Sequence, residues 1–291
     1  MKEIKEVVAL LTNDHGDKYP SIPIHKRRLP SSSCLNDIID CIRATLFPGY
    51  YGTPMISDDS LSYHTGVNVE KISNLLTQQV FDSLLFQSAE LDPGDAKQKA
   101  HELVAAFLNQ LPHIKYLLST DISAIFDSDP AAKSYGEIIF CYPAVKAISN
   151  YRIAHELYKL NIPIIPRIIT EMAHAETGIE IHPGAEIGEY FSIDHGTGIV
   201  IGATSIIGKH VMLYQGVTLG AKSFTLDEDG HPMDVPRHPI LEDNVTIYSN
   251  SSILGRITIG KGTIVGGNIW LTHSVPPFSK ITQTRAIKDK E

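Results

Sequence analysis

The 291-residue chain is poor in cysteine, in basic charge and in long apolar runs. Its three cysteines are Cys34, Cys41 and Cys141. An odd number at that spacing forms neither a zinc site nor a disulfide framework, so free thiols in a reducing compartment are expected. Lysine and arginine total 25 against 33 acids, a formal charge of −8. That balance argues against nucleic acid as the main partner, because phosphate binding needs a basic surface; it leaves room for a local basic pocket. No segment reaches the roughly 18 consecutive apolar residues of a membrane span. The N-terminal MKEIKEVVALLTNDHGDKYP has one short apolar run beside acids and does not read as a signal peptide. A cytoplasmic protein with no membrane contact is expected.

What the sequence does contain follows two patterns. Residues 1–178 are helical in period. Leu35, Ile38, Ile39, Ile42 and Leu46 fall on one helix face, as do Val69, Ile72, Leu75, Leu76, Val80 and Leu84. Pro93-Gly94 suits the start of a further helix, DAKQKAHELVAAFLNQL. PAVKAISNYRIAHELYKL and PRIITEMAHAET give two more, the last closed by Gly178. Residues 1–30 and 48–66, rich in Pro, Gly, Tyr and Ser, are predicted as loops.

From Ile179 the period becomes six. Aliphatics recur at Ile181, Ile187, Ile193 and Ile199, slip by two, and resume at Ile201, Ile207, Leu213 and Leu219. After a gap they run through Leu241, Ile247, Ile253, Ile259, Val265 and Leu271. Small or branched residues follow four places on, among them Ala185, Thr197, Ser205, Val217 and Ser251. Glycine often comes directly after the aliphatic, as at Gly188, Gly202, Gly208 and Gly260. Six residues fit one side of a coil made of short strands and tight corners, where Gly and Asn supply positive φ. Such coils bury their inward residues only by stacking, which predicts a β-solenoid over 179–276. Residues 221–236, AKSFTLDEDGHPMDVP, break the repeat and are predicted as a protruding loop; residues 277–291 form a tail.

Inside the repeat, SIDHGTGIVIG sets Asp194 beside His195. Together with Glu180-Ile-His-Pro183, Arg237-His-Pro239, Asp129-Pro-Ala131 and Asn150-Tyr-Arg-Ile-Ala-His155, this stretch resembles the bacterial serine O-acetyltransferases. The resemblance covers roughly residues 125–275. It implies a helical N-terminal domain followed by a left-handed parallel β-helix of triangular section. It also implies a homotrimer, commonly paired into a dimer of trimers through the helical domains, with active sites between adjacent prisms.

The reaction implied is acetyl transfer from acetyl-CoA to the hydroxyl of L-serine. An alcohol is a weak nucleophile at neutral pH and needs a base, for which histidine is suited. His195 is that base by resemblance, with Glu180 or Asp194 as the carboxylate that orients it. The family carries Asp where this chain has Glu180. Asp129 and Asp194 resemble residues that meet the ammonium of serine, Arg237 its carboxylate-binding arginine, and His238 a substrate contact. Asp129-Pro130 also reads as a helix start. Gly220, Ala221, Ser249 and Gly267 lie where the family binds acetyl-CoA. No cysteine lies near the motifs, so direct attack without a covalent enzyme intermediate is expected.

A sugar or xenobiotic acetyltransferase of the same fold is the alternative, and it would need no clamp for two charges. A metal hydrolyase on this scaffold would need three converging ligands. His182, His195, His210, His231 and His238 do not show that pattern, so no metal is expected. Family members often bind the next enzyme of cysteine synthesis through a terminal isoleucine. This chain ends Lys288-Asp-Lys-Glu291, so that association is not expected.

Overall fold

The computed structural model describes residues 3–12, 27–52, 57–88 and 90–283. The C-terminal Lys288–Glu291 lies outside them. Among the described residues eight helices precede fourteen short strands. The helices are α1 (Ile4–Thr12), α2 (Ser32–Leu46), α3 (Asp58–Gln87), α4 (Pro93–Leu108), α5 (Leu111–Ser128), α6 (Tyr135–Cys141), α7 (Pro143–Lys159) and α8 (Ile165–Thr177). None is long and apolar enough to cross a membrane.

The expected helices are present, with local causes that can be named. Asp92 caps α4 by accepting from the N–H groups of Gly94 and Asp95, with Pro93 in the first turn. Gly178 ends α8 in the left-handed conformation at φ 70°. Two loop expectations fail. α1 lies within 1–30, and α3 begins at Asp58, inside 48–66. Ser57 and Ser60 form a capping box there, and Asp58 and Asp59 favour the first turn, so polar residues start the helix. Asp129 does not start a helix. It caps the C-terminal end of α5, whose inward stripe is Leu111, Ile114, Leu118, Ile122 and Ile125.

The strands wind a parallel solenoid with three faces. The first face stacks β1 (Glu180–Ile181), β4 (Val200–Ile201), β7 (Thr218–Gly220), β10 (Ser252–Leu254) and β13 (Trp270–Leu271). The second stacks β2 (Glu186–Ile187), β5 (Ile206–Ile207), β8 (Ile240–Leu241) and β11 (Thr258–Ile259). The third stacks β3 (Ser192–Asp194), β6 (Met212–Tyr214), β9 (Thr246–Ile247), β12 (Ile264–Val265) and β14 (Lys280–Ile281). β14 carries the stack past residue 276. The predicted inward aliphatics are buried on all three faces and join the helical core in one cluster.

We call the corner between third and first faces the front edge, and that between first and second the rear edge. Val200 pairs with Thr218, a coil of eighteen residues. Glu180 pairs with Val200, a coil of twenty. The two extra residues lie in the front corner, Gly196–Gly198, directly after His195. Ile201 is therefore the inward residue of the next side, and Ile199 fills the smaller position before it; both are fully buried. Thr197 belongs to the enlarged corner and is exposed. Residues 221–236 enlarge one further coil: Ile206 pairs with Ile240 across the insertion, and register resumes.

The corners correct one reading of the glycines. Positive φ recurs at the corner between second and third faces, at Tyr190, His210, Asn244, Gly262 and Phe278. It also recurs at the front edge, at His195, Gly196, Gly216, Asn250 and Asn268. Gly202, which follows an aliphatic, is not among the positive-φ residues. It is glycine because the imidazole of His238 occupies the space a β-carbon would take.

The Asn150–His155 segment docks the helical domain on the first coil. Tyr151 donates to the Ala185 carbonyl at 2.6 Å, and His155 Nδ1 to that of Pro183 at 2.8 Å. Arg152 of α7 donates to the carbonyls of Ile187 and Gly188 and holds Asp121 of α5 through two bonds of 3.0 Å. Asp121 also accepts from the Phe191 N–H. A buried bidentate pair thus fixes α5 and α7 over β3.

Candidate active site

The front edge carries His195. Its backbone is left-handed at φ 57°, and its side chain is 75% exposed. The turn that aims it depends on Gly196, whose missing β-carbon would strike Ile179 and Ile193. Asp194 Oδ1 lies 3.7 Å from His195 Nε2. Of the two candidate carboxylates, Asp194 is the one within salt-bridge reach of the imidazole. Glu180 instead faces Arg167 of α8 at 3.9 Å, on the first face below Val200.

The helical domain brings a second carboxylate to the same edge. Asp129 Oδ1 accepts from the Ala131 N–H at 2.8 Å, and Oδ2 from the Tyr142 hydroxyl at 2.6 Å. The Tyr142 hydrogen bond, then that of Ala131, and further the charge of His195 hold the Asp129 carboxyl below the usual carboxylate range. Tyr142 is pushed up to about 12, chiefly by the same bond, with Asp194 contributing. Asp129, Tyr142, Asp194 and His195 therefore share one electrostatic neighbourhood. Sequence reasoning missed Tyr142; its only local mark is its place before Pro143, which opens α7.

The rear edge carries Arg237 and His238. His238 is buried, and its Nδ1 accepts the Thr204 N–H at 3.1 Å, which puts the ring hydrogen on Nε2. The Thr204 hydroxyl accepts the N–H groups of Arg237 and His238 at 2.9 and 3.1 Å. Burial, then the charges of Arg237 and Arg256, bring His238 down to about 4. His182, whose Nδ1 accepts from the Gly184 N–H, is likewise down to about 4 by burial and Arg167. Both rings are neutral donors at neutral pH. Arg237 rests against Asp234 at 3.3 Å and remains partly exposed.

One chain therefore does not gather all the predicted residues. His195 and Asp194 lie together at the front edge with Asp129 in electrostatic reach, Arg237 and His238 lie at the rear, and Glu180 lies on the face between. Ser249 and Gly267 follow β9 and β12 and stack up the front edge above His195, with the Asn268 N–H on the Ser249 carbonyl at 2.9 Å. A β-carbon on Gly267 would stand 3.2 Å from that carbonyl oxygen, so small residues keep the edge low. Gly220 ends β7 at the rear edge, and Ala221 follows it. Among the described residues one exposed group, Asp227, Asp229 and His231 on the loop, places its donor atoms within 4.8 Å of one another.

No protein-family model matches the chain. The protein named "Serine acetyltransferase, plasmid" of Synechococcus elongatus is 48% identical over 267 residues, which is 90% of this chain and 84% of that protein. The serine acetyltransferase of Bacillus subtilis is 46% identical over 165 residues, 57% of this chain and 72% of its own length. Serine acetyltransferase 1 of Entamoeba histolytica, solved with L-cysteine, superposes with a TM-score of 0.73 at 32% identity, covering 95% of this chain and 94% of that one. Fold, motifs and relatives agree: the chain belongs to the serine acetyltransferase family.

Proposed function

We propose that this chain transfers the acetyl group of acetyl-CoA to the hydroxyl of L-serine, giving O-acetyl-L-serine and CoA. The observation that carries this reading is the exposed imidazole of His195 in a left-handed corner, 3.7 Å from Asp194 and within the electrostatic reach of Asp129. His195 takes the hydroxyl proton as the serine oxygen attacks the thioester carbon. The tetrahedral adduct then expels the thiolate, which receives that proton from the imidazolium. Asp194 stabilises the imidazolium and shares the substrate ammonium with Asp129. Arg237 forks onto the substrate carboxylate.

Acetyl-CoA fits the low front edge above His195, along Ser249 and Gly267. A homotrimer, or a dimer of such trimers, completes the site: first faces turned to a threefold axis set each front edge against a neighbour's rear edge. Gly220, Ala221, Arg237 and His238 then come from the adjacent chain. The protein works without a membrane, in the cytoplasm.

The test is release of CoA from acetyl-CoA with L-serine present, absent, or replaced by an uncharged sugar. Release only with L-serine is expected; equal rates on the sugar would reject the assignment. Sharing of the site is tested by co-expressing His195→Asn and Arg237→Ala chains. Each variant alone is inactive, and mixed trimers recover activity where intact edges meet.

A further inference from the structure

Two helices that frame the front edge are tied together twice. In the interior, Asp121 of α5 is held by Arg152 of α7. At the rim, Asp129 at the end of α5 is held by Tyr142 at the start of α7. The first tie is buried and structural. The second is partly exposed, and its carboxylate feels the charge of His195.

We propose that Tyr142 is a specificity-determining positioning residue, whose phenol fixes the Asp129 carboxylate to receive the ammonium of the acceptor amino acid. The inference rests on the reading of L-serine as acceptor and deepens it.

A carboxylate held through one oxygen can still turn about its last side-chain bond. Asp129 is held through both: Oδ1 by the Ala131 N–H and Oδ2 by the phenol. Its plane is thereby set. An ionised carboxylate has about four acceptor positions, so two remain for an ammonium. Pro143 restricts Tyr142 to extended backbone, observed at φ −82° and ψ 122°. The phenol is thus presented by a rigid junction, on a helix already anchored by Arg152. Asp194 supplies the second acceptor for the ammonium from the solenoid side.

The test uses the full-length enzyme at saturating acetyl-CoA. Wild type and Y142F are compared on L-serine and on 3-hydroxypropanoate, which keeps the alcohol and carboxylate but lacks the amine. Losing a charge-assisted hydrogen bond predicts a KM for L-serine raised about ten-fold. The expected kcat lies within about three-fold of wild type, and rates on 3-hydroxypropanoate are unchanged between the two proteins. The double variant Y142F/D129N is expected to match D129N alone, because the phenol acts only through Asp129. An unaltered KM in Y142F, an equal loss on both acceptors, or additive losses in the double variant would each overturn the inference. Wild type that ignores L-serine altogether would overturn the functional reading, and this inference with it.

Discussion

The imidazole of His238 lies over Gly202, in the volume that any β-carbon at residue 202 would need. The ring is held there through Nδ1, which accepts from the Thr204 N–H, while the backbone N–H of His238 donates to the Thr204 hydroxyl. The lack of a side chain on one rung thus leaves room for a side chain from the segment between the loop and β8.

Gly202→Ala is expected to push that ring outward and carry Arg237 with it. The kcat/KM for L-serine should fall at least about ten-fold, with overpacking costing about 1–3 kcal/mol in stability. Steady-state kinetics and thermal melting check both. Adding His238→Ala should restore the melting temperature, since the new methyl then has room, but not the activity.

His195→Asn isolates the base. Asparagine tolerates the left-handed backbone that His195 adopts, so the corner keeps its shape. Removing a general base is expected to lower kcat by about 10²–10⁴. Circular dichroism should be unchanged, and binding of acetyl-CoA by calorimetry should persist. Turnover near that of wild type would remove His195 from the mechanism.

Acid sensitivity follows from the two neutral histidines. His182 and His238 titrate at about 4 in the fold, against the ordinary value near 6.5 in an unfolded chain. Between those values the unfolded chain binds protons that the folded one refuses. Stability from this source is therefore complete above about pH 6.5 and is lost as the pH falls toward 4. Urea unfolding midpoints at several pH values across that window should decline toward acid. His238→Asn should flatten the decline; an identical slope in that variant would refute the assignment.

Breaking the Asp121–Arg152 pair should loosen the helical domain from the first coil. Arg152→Met leaves a buried carboxylate without its cation, and such a loss costs about 3–5 kcal/mol. Asp121→Leu with Arg152→Met should cost less than either change alone. Denaturant unfolding of the three variants measures the difference.

The solenoid was legible because period six dictates which side chains point inward, and the stack repeats that instruction on every coil. The enlarged front corner was visible too, as a slip of two. Ile199 disguised it, since an aliphatic also fits the position ahead of the true inward residue, Ile201. The edges could be told apart by counting: Arg237 precedes the second-face strand at Ile240, whereas His195 precedes the first-face strand at Val200. The helical half was harder. The stripe of α5 is regular and went unread, while the polar start of α3 depends on the Ser57 cap rather than on apolar spacing. The Tyr142–Asp129 bond crosses thirteen residues between two helix ends, and no local pattern marks such a pairing.

The insertion at 221–236 leaves the pairing of Ile206 with Ile240 intact. What the prism keeps constant is height per turn, not chain length per turn, so extra residues spill sideways and never climb. A foreign peptide spliced at the tip, between Asp227 and His231, should leave every layer above and below in step. That tip is a ready port for a tether, dye or sensor.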